Sequence, residues 1–151
     1  MQICTRCSVA IHCLIFMCES ERVGSAEDGV RVTSALLSES TGTNAVSIRN
    51  ALGALKRADI VEVARGAGGA KLIRSPEDLT LLEIFQAVEP TKIEDAIGIH
   101  DCEDRACPVA QNIRGVLEDA YRPALDAMTE AMRGVTLADM LADYRARIGA
   151  E

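Results

Sequence analysis

The chain has no tryptophan, two tyrosines and two phenylalanines, so its core must be built from aliphatic side chains and alanine. Its two histidines, His12 and His100, lie far apart. There is no serine-centred nucleophile elbow, no HExxH pair and no phosphate loop, and the carboxylates are dispersed, which excludes the common enzyme classes. No apolar run reaches the roughly 18–20 residues that a membrane span needs. The apolar stretch 9–18 is interrupted by His12, and large residues precede Cys18, so no cleavable leader is read there. The expected location is the cytoplasm. In a reducing compartment the six cysteines are expected as core fillers, metal ligands or redox sensors rather than as a disulfide framework.

What is present is a 48% hydrophobic, alanine-rich chain of 151 residues with a net charge of −7. That charge argues against a nucleic-acid partner until the chain is divided. Residues 1–75 carry nine basic and seven acidic side chains, a net of +2, whereas residues 76–151 carry seven and sixteen, a net of −9. Within 49–74, Arg49, Lys56, Arg57, Arg65, Lys71 and Arg74 face only Asp59 and Glu62, a local excess of +4 suited to a phosphate backbone.

The basic island coincides with the stretch that organises the chain. Residues 34–40 predict a short helix capped by Thr33, and 41–42 a turn. Residues 43–58 predict a second helix capped by Thr43. On that helix Ile48, Leu52 and Leu55 share one face. Asn44, Ser47, Arg49, Asn50 and Lys56 are left outward, offering the amide, hydroxyl and guanidinium groups that bond base edges and phosphates. Strands at 60–64 and 71–74 flank Arg65-Gly66-Ala-Gly68-Gly69-Ala70. These glycines permit positive φ and close backbone approach. A dinucleotide fingerprint is rejected because its third glycine would fall at Lys71 and no βαβ unit begins here. Helix, turn, helix and hairpin in that order describe a winged helix-turn-helix. Arg65, Gly66, Gly68, Gly69 and Lys71 are its DNA-contacting wing.

Around this module, 3–18 reads as a helix with Cys4, Cys7, Ile11, Leu14 and Cys18 on one stripe and His12 in a core or half-buried place; 19–32 reads as a loop. Thr80 and Glu83 form a capping box for a helix that ends before Pro90 and is expected to pack on the wing and the first helix. From Pro108 a long helix carries Ile113, Leu117, Ala120, Tyr121, Ala124 and Met128 on an apolar stripe, with a kink expected at Pro123. Such a stripe needs a covering surface, and a second copy of the chain supplies one. Thr136 and Asp139 begin a last short helix.

One constellation carries reactive groups: His100-Asp-Cys102-Glu-Asp-Arg-Ala-Cys107-Pro108. A helix N-terminus favours thiolate at Cys107, while Asp101, Glu103 and Asp104 oppose it. Two thiols do not complete a four-ligand metal site. Cys102 and Cys107 are therefore read as candidate sensor or metal residues, against incidental loop cysteines.

Several segments together resemble a bacterial family. They are Met1-Gln-Ile, Thr41-Gly-Thr-Asn-Ala-Val-Ser-Ile-Arg49, Arg65-Gly-Ala-Gly-Gly-Ala-Lys-Leu-Ile-Arg74, Thr80-Leu-Leu-Glu-Ile, Cys107-Pro-Val-Ala-Gln-Asn-Ile113 and Thr136-Leu-Ala-Asp-Met-Leu141. The chain is identified as similar to the Rrf-two (Rrf2, BadM-type) winged-helix transcription regulators, the family of IscR, NsrR and CymR. The resemblance spans nearly the whole chain. It implies a homodimer, joined through the long C-terminal helix, that represses or activates promoters. Cluster-binding members carry three cysteines before that helix. Cys102 and Cys107 resemble the second and third, but the first falls near Asp95 and the Cys102–Cys107 spacing is short by one. An iron–sulfur cluster would therefore need Asp95 or Asp101 as a ligand, or Cys4 or Cys7 of the partner subunit. No cofactor is firmly expected. Val46 and Arg49 depart from the recognition residues of IscR, so the operator sequence does not carry over.

The expectation is a mainly α protein with a β-hairpin wing. Residues 1–90 form the DNA-binding domain (recognition helix 43–58, wing 60–74), 91–107 a sensor loop, and 108–151 the dimerisation helix and a short C-terminal helix. The expected function is a homodimeric repressor acting on double-stranded promoter DNA and answering redox state, metal or a small molecule. The competing reading is a winged-helix adaptor for a basic protein, without sequence-specific DNA binding.

Overall fold

A computed structural model describes residues 5–23, 31–65, 68–102 and 106–149. The described residues form six helices, α1 (Arg6–Val23), α2 (Ser34–Thr41), α3 (Ala45–Arg57), α4 (Leu81–Val88), α5 (Pro108–Arg133) and α6 (Leu137–Ile148), and one antiparallel hairpin of β1 (Val61–Val63) and β2 (Ala70–Leu72) that packs on α1 and α3. A 3₁₀ turn at Ile93–Asp95 lies between α4 and α5. The protein is mainly α with a hairpin wing, as its sequence implies.

The core is aliphatic. Leu14 and Met17 of α1, Leu37 of α2, Ile48 and Leu55 of α3, Ile84 of α4 and Leu137 of α6 are all fully buried and belong to one cluster. The buried face of α1 is Cys7, Ala10, Cys13, Leu14 and Met17, rotated from the expected stripe so that Ile11 and Cys18 lie on its flank. Cys4 lies outside the described residues. His12 is exposed rather than buried, and its Nε2 meets the Ser40 hydroxyl of α2 at 2.9 Å.

The helix of α1 continues through 19–23, where the sequence predicts a loop. Glu19 explains the extension. It pairs with Arg22 one turn on at 3.1 Å and with Arg145 of α6 at 2.8 Å, so the last turn is held against another element.

Helix α2 starts on the expected cap, with Thr33 Oγ1 accepting from the Leu36 amide, and ends at Gly42 with φ +67°. Helix α3 begins later than expected. Asn44, not Thr43, is its cap, its side-chain oxygen accepting the Ser47 amide at 2.9 Å. Thr43 is held within the turn: its amide donates to Thr41 Oγ1 and its carbonyl accepts the Ser38 hydroxyl at 2.6 Å.

The strands are shorter than 60–64 and 71–74, with Val61 opposite Leu72 and Val63 opposite Ala70. Ile60 uses its amide to close α3 through the Leu55 carbonyl, and Arg74 turns away to Glu83 and the Asp78 carbonyl. Two glycines form the base of the wing. A Cβ on Gly68 would stand 2.4 Å from the Ala64 Cβ, and one on Gly69, at φ +80°, would stand 3.1 Å from the Val32 backbone N and O. The Ala70 amide then donates to the Val32 carbonyl at 2.8 Å, tying the hairpin to the residue before the α2 cap.

Helix α4 has the expected capping box of Thr80 and Glu83. It packs chiefly on α1, α3 and α5, more than on the hairpin. Helix α5 is continuous through Pro123 and has no fully buried residue. Helix α6 returns to the core formed by α1 to α4, with Leu137 and Leu141 buried in it.

Candidate nucleic-acid interface

The outer surface of α3 is built by its inner one. Ile48, Ala51, Leu52 and Leu55 turn one face into the core, so helical geometry leaves Val46, Arg49 and Asn50 exposed and Ser47 at the margin. Val46 is 57% exposed, an apolar group outside the outward set of Asn44, Ser47, Arg49, Asn50 and Lys56 read from the sequence. Such a group can meet a thymine methyl. Asn44 keeps its side-chain NH₂ after its oxygen has capped the helix.

A groove lies along each flank of α3. One, of about 360 Å³, separates α3 from the α2 start and the wing and is lined by Thr33, Ser34, Arg49, Lys56, Val63 and Gly69. The other, of about 540 Å³, separates α3 from the start of α1; Thr5, Arg6, Ser47, Arg49, Asn50 and Arg57 line it. Arg49 borders both. The structure thus brings Thr33, Thr43, Ser47, Arg49, Asn50 and Gly69 to the two grooves. Arg65, Gly68 and Lys71 lie at the exposed wing, and Gly66 falls outside the described residues.

The basic island is redistributed by ion pairing. Lys71 pairs with Glu62 across the hairpin at 3.1 Å, and Arg74 with Glu83 at 3.1 Å. These two bases of the sequence-level excess are partly compensated. Among the described residues, Arg6, Arg31, Arg49, Arg57 and Arg65 have no ion-pair partner, while all five arginines of α5 and α6 are paired. Arg6 was invisible to a sequence reading because only the fold brings α1 beside α3.

A model of the Rrf2 family, described as iron-dependent transcriptional regulators, matches residues 3–143. The chain belongs to the Rrf2 family. A Bacillus subtilis protein, YwnA, named as an HTH-type transcriptional regulator, is 30% identical over 91% of this chain and 95% of its own. A crystal structure from Lactobacillus plantarum, described as a transcriptional regulator, is 26% identical with a TM-score of 0.75, covering 93% of this chain and 90% of that one. Another, described as a DNA-binding protein, is 28% identical with a TM-score of 0.68, covering 90% and 98%. IscR of T. potens, at 19% identity and a TM-score of 0.66 over 95% and 88%, shares the fold. The protein is accordingly a DNA-binding transcription regulator and not an enzyme; the adaptor reading is not favoured.

The iron-dependence in the Rrf2 description makes the cysteines a test of fit. Burial pushes the Cys7, Cys13 and Cys18 thiols up to about 11, with Glu89 adding to the shift at Cys7. Cys7 and Cys13 are buried in the core and Cys18 lies on its flank, so Cys7 would have to leave its packing to reach a partner's loop; Cys4 lies outside the described residues. Cys102 is exposed, with its Sγ 3.3 Å from His100 Nε2, and Cys107 stands half-buried at the α5 N-cap. Asp101 is held by Arg114 at 2.7 Å, and Asp95 is exposed in the 3₁₀ turn. Among the described residues no three of His, Cys, Asp and Glu converge, so those residues of one chain do not supply the donor set of a cluster. None of the described helices is long and apolar enough to cross a membrane.

The stripe on α5 divides. Leu125, Met128 and Met132 pack against the chain's own core. Ile113, Leu117 and Tyr121 are only half-covered, Ala120 and Ala124 are exposed, and Val109 and Val116 are 67% and 59% exposed.

Proposed function

We propose that the protein is a cytoplasmic, homodimeric repressor that inserts α3 into the major groove of a promoter operator and lays its wing along the adjacent backbone. The observation that carries this reading is the outward face of α3, polar apart from Val46 and bordered by bases without ion-pair partners. Asn44, Ser47, Arg49 and Asn50 are the base-reading and phosphate-bonding groups. Thr33 and Thr43 hydroxyls and the Gly66, Gly68 and Gly69 backbone approach phosphates, and Arg65 and Lys71 add charge at the wing.

The uncovered half of the α5 stripe supports dimerisation. Ile113, Leu117, Ala120, Tyr121 and Ala124 on one copy meet the same residues on the second, fixing the spacing of two α3 helices. Met128 borders this interface while remaining in its own core.

The segment before α5 supports a sensing role. Cys102 beside His100, and Cys107 at the start of α5, would couple thiol oxidation or metal binding to the helix that sets dimer geometry. Gel shifts on the region upstream of its own gene, with reduced, oxidised and iron-reconstituted protein, test the scheme. Salt-sensitive binding that changes with thiol state or iron supports it. Binding to no promoter fragment in any state refutes DNA regulation; binding indifferent to all three treatments refutes the sensing role alone. Absorption and metal analysis of anaerobically purified protein distinguish a cluster from a thiol switch.

A further inference from the structure

We propose that the start of α1 is a second DNA-backbone contact, in which Arg6 and Arg57 hold phosphates of the strand on the far side of α3 from the wing. The proposal rests on the reading that α3 enters a major groove. An α-helix with its side chains is about 10–12 Å across, and that groove is about 12 Å wide. A helix lying in it has a phosphate wall on each flank. The wing, with Lys56, faces one wall. The opposite flank of α3 is not a bare surface but the larger groove, bounded by the first turn of α1.

Three observations give that groove its chemistry. Arg6, Arg49 and Arg57 line it, and none has an ion-pair partner among the described residues, although acidic side chains outnumber basic ones in the chain. Thr5, Thr43, Ser47 and Asn50 add hydroxyl and amide donors. The guanidinium of Arg57 lies back along α3, its Nη1 3.5 Å from where a Gly53 Cβ would stand, which is ordinary van der Waals contact. Cations with neutral donors and no carboxylate in the lining suit a phosphodiester, whose charge demands compensation without base-specific geometry. A second backbone contact would clamp α3 between two strands and fix its depth and angle.

The test is fluorescence anisotropy at several salt concentrations, using a labelled duplex of about 30 base pairs from upstream of the gene and a scrambled duplex. R6Q and R57Q should each lower the slope of log K against log[salt] by about 0.9 for each phosphate that is no longer neutralised. That corresponds to binding about fivefold weaker at 0.15 M salt for each such phosphate, by a similar factor on both duplexes. R6K and R57K should retain most of the slope, and R147Q, whose residue is paired with Asp143 on α6, should leave it unchanged. Slopes unaltered in both R6Q and R57Q, with wild type binding normally, would overturn the second contact and leave the DNA-regulator reading intact. Absence of salt-dependent binding by wild type overturns both. Phosphate-ethylation interference with the wild-type protein decides independently of variant folding. Interference on both walls of the groove is expected, and interference confined to the wing side contradicts the proposal.

Discussion

Thr80 and Thr136 face each other in an isolated antiparallel bridge, and each caps the helix that follows it. The Leu81 amide donates to the Val135 carbonyl and the Leu137 amide to the Leu79 carbonyl, both at 2.8 Å. Two helix starts are thereby fixed side by side, and α6 is tied to the start of α4 just after α5 ends.

Removing one cap should loosen both. Thr80→Ala is expected to cost about 1 kcal/mol, lowering the Tm by about 2–4 °C. The Thr80 backbone amide holds the Glu83 carboxyl below the usual carboxylate range, with help from the Thr80 hydroxyl and Arg74. The Thr136 amide does the same for Asp139. A depressed carboxyl stabilises the fold above its unfolded pKa, and that contribution is lost as pH falls through the folded value. Melts from pH 7 to 3 should therefore show stability declining below about pH 4, less steeply in Glu83→Gln.

Gly69 makes a sharper test of the wing. An alanine there must adopt φ +80° against the Val32 backbone. Left-handed backbone alone costs about 1–2 kcal/mol. Gly69→Ala should lower DNA affinity and the Tm together, whereas Gly149→Ala, also at positive φ but in open space at the C-cap of α6, should lower only the Tm.

The fold was largely legible because its signals are local. The α2 and α4 caps, the wing glycines and the α3 core face all follow from short spacings. What escaped the sequence depends on distant partners. Glu19 extends α1 only because Arg145 is beside it, and Arg6 joins the α3 surface only after packing. Arg74 counts as a free base in the sequence because Glu83, nine positions on, gives no sign of its pairing. Thr43 and Asn44 are both good caps, and the turn hydrogen bonds of Thr43 decide between them.

The exposed α5 face predicts oligomeric state. Leu117→Glu places a charge on the half-covered stripe without disturbing the buried core. Sedimentation velocity should shift from dimer to monomer, with at least a tenfold loss of operator affinity, because one protomer engages only one half-site.

Thiol reactivity should separate the cysteines. Cys7 and Cys13, buried and pushed up to about 11, stay protonated at pH 8 and should react with a chromogenic disulfide reagent only on unfolding, and the partly buried Cys18, raised likewise, should react slowly. Cys102 should react quickly in the native protein, and a Cys102→Ser, Cys107→Ser variant should lose that fast phase.

Two α3 helices are expected to read one operator as a pair. Hydroxyl-radical footprinting of the wild-type protein on the region upstream of its gene measures this most directly. The expected result is protection of two symmetry-related half-sites whose centres are separated by one helical turn, about 10 base pairs, or a multiple of it, and weakened steeply by salt. Protection of a single unpaired site, or none at any salt concentration, would contradict it.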